Sequence, residues 1–224
     1  MAKAEGGFAY SADLKCCTYF PLLTNFQVGA LLTEPNISFS ALTQLKNFIF
    51  TDQAQPLGVA PHFDYQKKYL KRGLEAFGRD RELRCPYFDV ANSRCGIWNW
   101  RGAVCTSFYC ESSYGLKGIE FWRELEKYLL NLERTLSYDA ILYLGFNEVE
   151  AQLCLKALPQ GYSQPFRFKE SLWLEMKNER VEFYRKSFHY VESLSVVDFQ
   201  KLIGGDLILK QRELYHRAIE LTCK

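Results

Sequence analysis

CPYFDVANSRCGIWNWRGAVCTSFYC, residues 85–110, is the stretch that decides how this chain is read. It carries Cys85, Cys95, Cys105 and Cys110, separated by nine, nine and four residues. Aromatic and turn-forming residues fill the gaps, and no helical or alternating period runs through them. A segment of that kind is too irregular to be ordered by a hydrogen-bond ladder alone. Thiolates gathered on a metal would order it. They are soft, charged ligands, and four of them satisfy tetrahedral zinc or the irons of an iron–sulfur cluster.

Working outward, an adjacent pair, Cys16-Cys17, precedes this stretch, and six of the eight cysteines fall within the first 110 of 224 residues. That density is below a disulfide-stapled scaffold, and a chain of this length can bury a core without staples. The start, MAKAEGGFAYSADLKCC, has no long apolar core after Lys3, so no secretory leader is expected. The expected setting is the reducing cytoplasm, where clustered thiols bind metal or react more often than they pair. The competing interpretation, ordinary buried core thiols, suits Cys154 between Leu153 and Leu155, and Cys223 near the end of the chain.

The blocks Cys85-Pro86-Tyr87-Phe88-Asp89, Arg94-Cys95-Gly96-Ile97-Trp98 and Arg101-Gly102-Ala103-Val104-Cys105, with Phe108, resemble the signature of the YkgJ-like zinc- or iron-chelating cysteine-cluster proteins. In that family an adjacent cysteine pair precedes the signature, as Cys16-Cys17 does here. The resemblance covers residues 15–112 in scattered blocks and does not reach the second half. It departs from the family in lacking a Cys-x-x-Cys upstream of the pair, in having Arg101-Gly102 for Arg-Pro, and in the extra Cys110. Carried over residue by residue, it implies Cys17, Cys85, Cys95 and Cys105 as metal ligands, with Cys16 and Cys110 as alternates or additional ligands. Relatives that include flagellin lysine N-methylases tilt the implied cofactor toward an iron–sulfur cluster, a 4Fe-4S centre foremost, with zinc as the alternative. Structural zinc usually pairs ligands two to four residues apart, and only Cys105 and Cys110 meet that spacing. Phe88, Trp98, Trp100, Phe108 and Tyr109 would wall such a centre from water, which tunes a cluster's potential.

The rest of the chain is globular in composition, 48% hydrophobic and 24% charged, with a net charge of +2 that gives no strong pull toward nucleic acid. No apolar run is long enough to span a membrane. The small residues around Ser112-Ser113-Tyr114-Gly115 divide a cysteine-bearing part, 1–116, from a helical part, 117–224, packed on it. The expected fold is therefore mainly α, with an irregular, loop-rich, metal-binding N-terminal part and a helical C-terminal part. In the latter, Trp122, Leu125, Leu129, Leu132 and Leu136 predict a helix over 118–136. Asn147 and Glu150 predict a capping box for a helix ending at Leu158. Further helices are expected over 169–190, from Ser195 to Gly204-Gly205, and over 207–221, and residues 138–145 read as a possible buried strand. In the first half, 39–50 and 64–77 read as helical.

His62, beside Asp64, reads as a surface turn histidine, because no second histidine stands at metal spacing. His189 and His216 read as structural residues among aromatics. The basic run Lys67, Lys68, Lys71, Arg72, Arg79, Arg81 and Arg84 could steer an anionic partner, although such runs are usually solvated faces. No dinucleotide, phosphate-loop, Gly-x-Ser-x-Gly or radical-enzyme cysteine motif is present. The leading expectation is a metal-binding protein with an iron–sulfur cluster, serving electron transfer or the cofactor site of a modifying enzyme, with an unknown protein or redox partner. The alternatives are a structural zinc protein whose helical half binds another protein, and, by family analogy alone, a methylase-like enzyme.

Overall fold

The hub of the molecule is a small antiparallel sheet. Strand β1 (Leu23–Thr24) pairs with β3 (Gly58–Val59), which pairs in turn with β2 (Ala54–Gln55). The computed structural model describes residues 11, 13–14, 17–72, 76–108, 114–158 and 165–222. Two-residue strands are too short to stand alone, and three helical side chains pin this sheet through its backbone carbonyls. Tyr184 Oη donates to the carbonyls of Gln55 and Gly58 at 2.8 and 3.1 Å, Trp173 Nε1 to Ala54 at 3.1 Å, and Asn25 Nδ2 to Pro56 at 3.1 Å.

Helix α1 (Asn25–Thr33) follows β1 directly and is buried along almost its whole length, from Asn25 to Leu32. It crosses α7 (Arg180–Ser193) at Gly29, where a Cβ would lie 1.9 Å from the carbonyl oxygen of Tyr184. Only a glycine lets the two backbones approach so closely. Helix α2 (Phe39–Ile49) buries Ala41, Leu45 and Ile49 on one face and is capped by Ser38, whose Oγ accepts from the Ala41 N–H at 3.2 Å. Buried Arg180 ties α7 to the end of α2, its guanidinium donating to Ile49 O at 3.1 Å and to Glu170 at 3.0 Å. Helix α3 (Phe63–Arg72) follows the sheet.

The molecule is mainly helical, and its first half contains more regular helix than the sequence suggests. Irregular backbone is concentrated after α3. There, hairpin β4 (Phe88–Asp89) and β5 (Arg94–Cys95) is followed by a 3₁₀ turn at Trp98–Trp100 and short α4 (Ala103–Ser107).

In the second half, α5 runs from Gly115 to Tyr143. It is longer than the expected 118–136, and residues 138–143 are its last turns rather than a strand. Leu136, Ala140 and Ile141 continue one buried helical face, and that outweighs the β-like look of the short apolar run. Helix α6 (Glu148–Ala157) has the expected capping box, with Asn147 Oδ1 accepting from Glu150 N–H at 3.0 Å and Glu150 Oε2 from Asn147 N–H at 2.9 Å. The helix expected over 169–190 is divided into a 3₁₀ run, Glu170–Asn178, and α7; Leu174, at φ 50°, breaks it. The last two expected helices form one run, α8 (Val196–Thr222), capped by Ser195 through Asp198 N–H at 3.1 Å and kinked at Gly204, φ 73°. One hydrophobic core joins both halves: Leu23, Leu31 and Leu45 share it with Ile141, Trp173 and Tyr184. No helix among the described residues is long and apolar enough to cross a membrane.

Candidate metal centre

Cys85 is buried, while Cys17, Cys95 and Cys105 are half-buried. The Cys85 N–H donates to the carbonyl of Cys17 at 2.7 Å, joining two segments that lie far apart in sequence. The hairpin that begins at Cys85 returns the chain so that Cys95 stands opposite Phe88, and Gly96 N–H bonds Tyr87 O at 2.8 Å. The turn between the strands is made by Ser93, at φ 51°, and by Asp89, whose carboxylate accepts from the backbone and side chain of Asn92. Those bonds hold the Asp89 carboxyl below the usual carboxylate range. Cys17, Cys85 and Cys95 all belong to or pack against the same core.

Cys105 is placed differently, within α4, where its N–H caps back to Gly102 O at 3.0 Å and the helix packs along α5. Gly102 itself abuts Leu22, five residues beyond Cys17. Cys16 and Cys110 lie outside the described residues. Among the described residues no three Cys, His, Asp or Glu side chains are grouped closely enough to hold a metal ion.

The aromatic residues expected to wall the centre divide between the core and the surface. Trp98 is 63% exposed with the Arg101 guanidinium 3.5 Å above its ring, while Trp100 is half-buried against the core, donating its Nε1 to Glu34 and packing on Phe188. Phe88 is buried, Phe108 packs on Phe77, and Tyr109 lies outside the described residues. A ring cluster lies near Cys85: the Cys85 sulfur acts on both Tyr65 and Tyr87, and Phe20 makes edge contacts with those two rings and a tilted one with Phe48. Tyr65 also fixes the turn after Cys17, its hydroxyl donating to Thr18 O at 2.7 Å and accepting from Phe20 N–H at 2.8 Å. Burial, and then the nearby Cys85 sulfur, raise the Tyr87 phenol. Burial also raises that of Tyr65, to which Cys85 contributes as well. Sequence reasoning missed Phe48 and Tyr65 because they share no local motif with the cysteines, whereas Tyr87 stood within the motif itself.

Tyr87 carries the most informative atom. Its side chain is 1% exposed, yet its hydroxyl has no hydrogen-bond partner among the described residues. A buried phenol without an acceptor is costly. The sulfurs of a cluster or of its thiolate ligands accept hydrogen bonds, so a donor beside Cys85 fits such a group. Soft sulfur donors fit iron–sulfur or zinc alike.

The other candidates separate from this centre. Cys154 is a core residue, 1% exposed, with its thiol pushed up to about 12 by burial. His62 occupies the turn before α3, Nδ1 accepting from Asp64 N–H at 3.2 Å. His189 is an exposed surface residue that faces Glu192 and keeps a tilted ring contact with Phe188. Much of the basic run is matched locally, Lys68 by Glu82, Arg72 by Asp80 and Glu82, and Arg81 by Asp13.

No family model, curated protein or solved structure matches the chain.

Proposed function

We propose that this chain is a cytoplasmic metal-binding protein that holds an iron–sulfur cluster, 4Fe-4S in form, through its N-terminal cysteines. Cys17, Cys85, Cys95 and Cys105 are the principal ligands, with Cys16 and Cys110 as alternates or additional ones. The observation that carries the reading is the backbone bond that joins Cys17 to Cys85, with Cys95 on the returning strand and an orphaned buried hydroxyl on Tyr87, two residues after Cys85. The resemblance of residues 15–112 to the YkgJ-like cysteine-cluster proteins supports the same reading.

Bound there, a cluster would supply one-electron chemistry, either for transfer to a protein partner or as the cofactor of a modifying enzyme. The chain's own contribution is to exclude water with Phe20, Phe48 and Tyr87, to position Cys17 against Cys85 through the backbone bond, and to offer a phenolic donor. Anaerobic purification followed by iron, zinc and acid-labile sulfide analysis tests the reading. Iron and sulfide in equal amounts, with broad visible absorption, are expected. Stoichiometric zinc without sulfide, from anaerobic material, overturns it.

Zinc is the second reading, with the helical half as a protein-binding module. Val196, Val197, Leu209 and Tyr215 favour it, because they leave α8 with exposed apolar groups of the kind partner surfaces use.

A further inference from the structure

Helix α5 carries Glu126, Leu130, Glu133 and Ser137 at alternating spacings of four, three and four residues, so all four lie along one face. That face borders a cavity of about 740 Å³ whose opposite walls include Leu22, Leu57 and Val104. The volume falls in the range of small-molecule sites, and the walls are mostly apolar with a few polar groups among them.

Glu133 is the chemical centre of this cavity. Its Oε1 accepts from Gln27 Nε2 at 2.7 Å, and the Ala103 N–H also bonds the carboxylate. Even so, burial pushes its carboxyl up to about 7. Among the described residues no Lys, Arg or His forms an ion pair with it. Arg134, the basic residue on the cavity's border, is exposed, and Glu126 adds a second carboxyl that burial also raises.

Ser137 is a second, independent sign. A serine within a helix commonly returns its hydroxyl to the carbonyl four residues back. Ser107 and Ser187 do so here, at 2.8 and 3.0 Å. Ser137 does not. It is 2% exposed, and its Oγ has no partner among the described residues.

We propose that this cavity binds a small amphipathic amine, with its ammonium on Glu133 and Ser137 and its apolar body against the leucines. An ammonium offers only N–H donors, which match a carboxylate and a hydroxyl lone pair. An anion would meet two carboxyls, and a neutral alcohol would leave Glu133 without a countercharge. The cavity uses none of the cysteines, so the inference stands apart from the metal reading.

The test is calorimetric titration of the full chain with hexylamine, hexanol and hexanoate at fixed ionic strength. Hexylamine is expected to bind about tenfold or more tighter than hexanol, a difference of about 1.4 kcal/mol, with no binding of hexanoate. Glu133→Gln should remove that preference, bringing hexylamine affinity down to that of hexanol. Leu130→Trp, which fills the cavity, should abolish binding of both. Hexylamine affinity no greater than that of hexanol, binding of hexanoate, absence of hexylamine binding, or a folded Glu133→Gln chain that keeps the preference overturns the proposal. The ranking of the three probes on the unmodified chain decides the matter even if a variant fails to fold.

Discussion

The backbone of Cys85 donates to the carbonyl of Cys17 at 2.7 Å, across 67 residues of intervening sequence. A main-chain bond between two cysteines fixes their Cα positions whatever their sulfurs do. Replacing Cys17 and Cys85 together by serine should therefore leave that bond in place while removing two soft ligands. Iron and sulfide content should fall to background in the double variant, and serine at Cys154 should leave both unchanged. Metal analysis of anaerobically purified proteins checks this, and full iron loading of the double variant would exclude these two residues as ligands.

Tyr87→Phe separates a cluster donor from a packing ring. The phenylalanine keeps the edge contact with Phe20 and deletes only the unpartnered hydroxyl. In metal-free protein the change should be neutral or stabilising by about 1 kcal/mol, since a buried unsatisfied group is removed. In loaded protein the reduction potential should move lower, because a hydrogen bond to cluster sulfur favours the reduced, more negative state. Protein-film voltammetry and thermal melts read the two arms. An unmoved potential in a loaded variant would show that the hydroxyl does not reach the cluster.

Glu133 sets a pH dependence of stability. Its carboxyl is raised from 4.5 to about 7 in the folded chain, chiefly by burial. Between those values the folded state keeps a proton that the unfolded state has released. Stability therefore falls as pH rises through that window, and the full loss is present above it. Glu133→Gln should melt with the native chain near pH 4 and be more stable at pH 8 by roughly 2–3 kcal/mol. Denaturation midpoints across that range test it, and parallel curves for the two proteins would refute the assignment.

Gly29→Ala should be among the costliest single-methyl additions in the molecule. The new Cβ would meet the Tyr184 carbonyl oxygen at 1.9 Å and the Phe188 Cβ at 2.7 Å, so α1 and α7 must separate. Overpacking of this kind costs about 1–3 kcal/mol or more. For a chain of this size that corresponds to a loss of several degrees, about 2–4 °C per kcal/mol. Gly205→Ala, which has open space around it, is the control and should melt with the native protein.

The sequence by itself determined the features that are local. Asn147 with Glu150 and Ser195 with Asp198 mark helix starts because a capping side chain reaches only three residues, and Gly204 marks the kink in α8 because only glycine tolerates that φ readily. The grouping of cysteines and turn residues from 85 onward, by contrast, hid a hairpin, a 3₁₀ turn and the short helix α4. Tertiary structure alone decided the rest. Helix α1 shows no amphipathic stripe because it is buried on nearly every side, so its periodicity carries no signal. Tyr65 and Phe48 reach the ring cluster of Phe20 and Tyr87 from separate helices, and Glu133 meets Gln27 across 106 residues. Such neighbours are chosen by how the helices pack on the small sheet, and no local spacing records that choice.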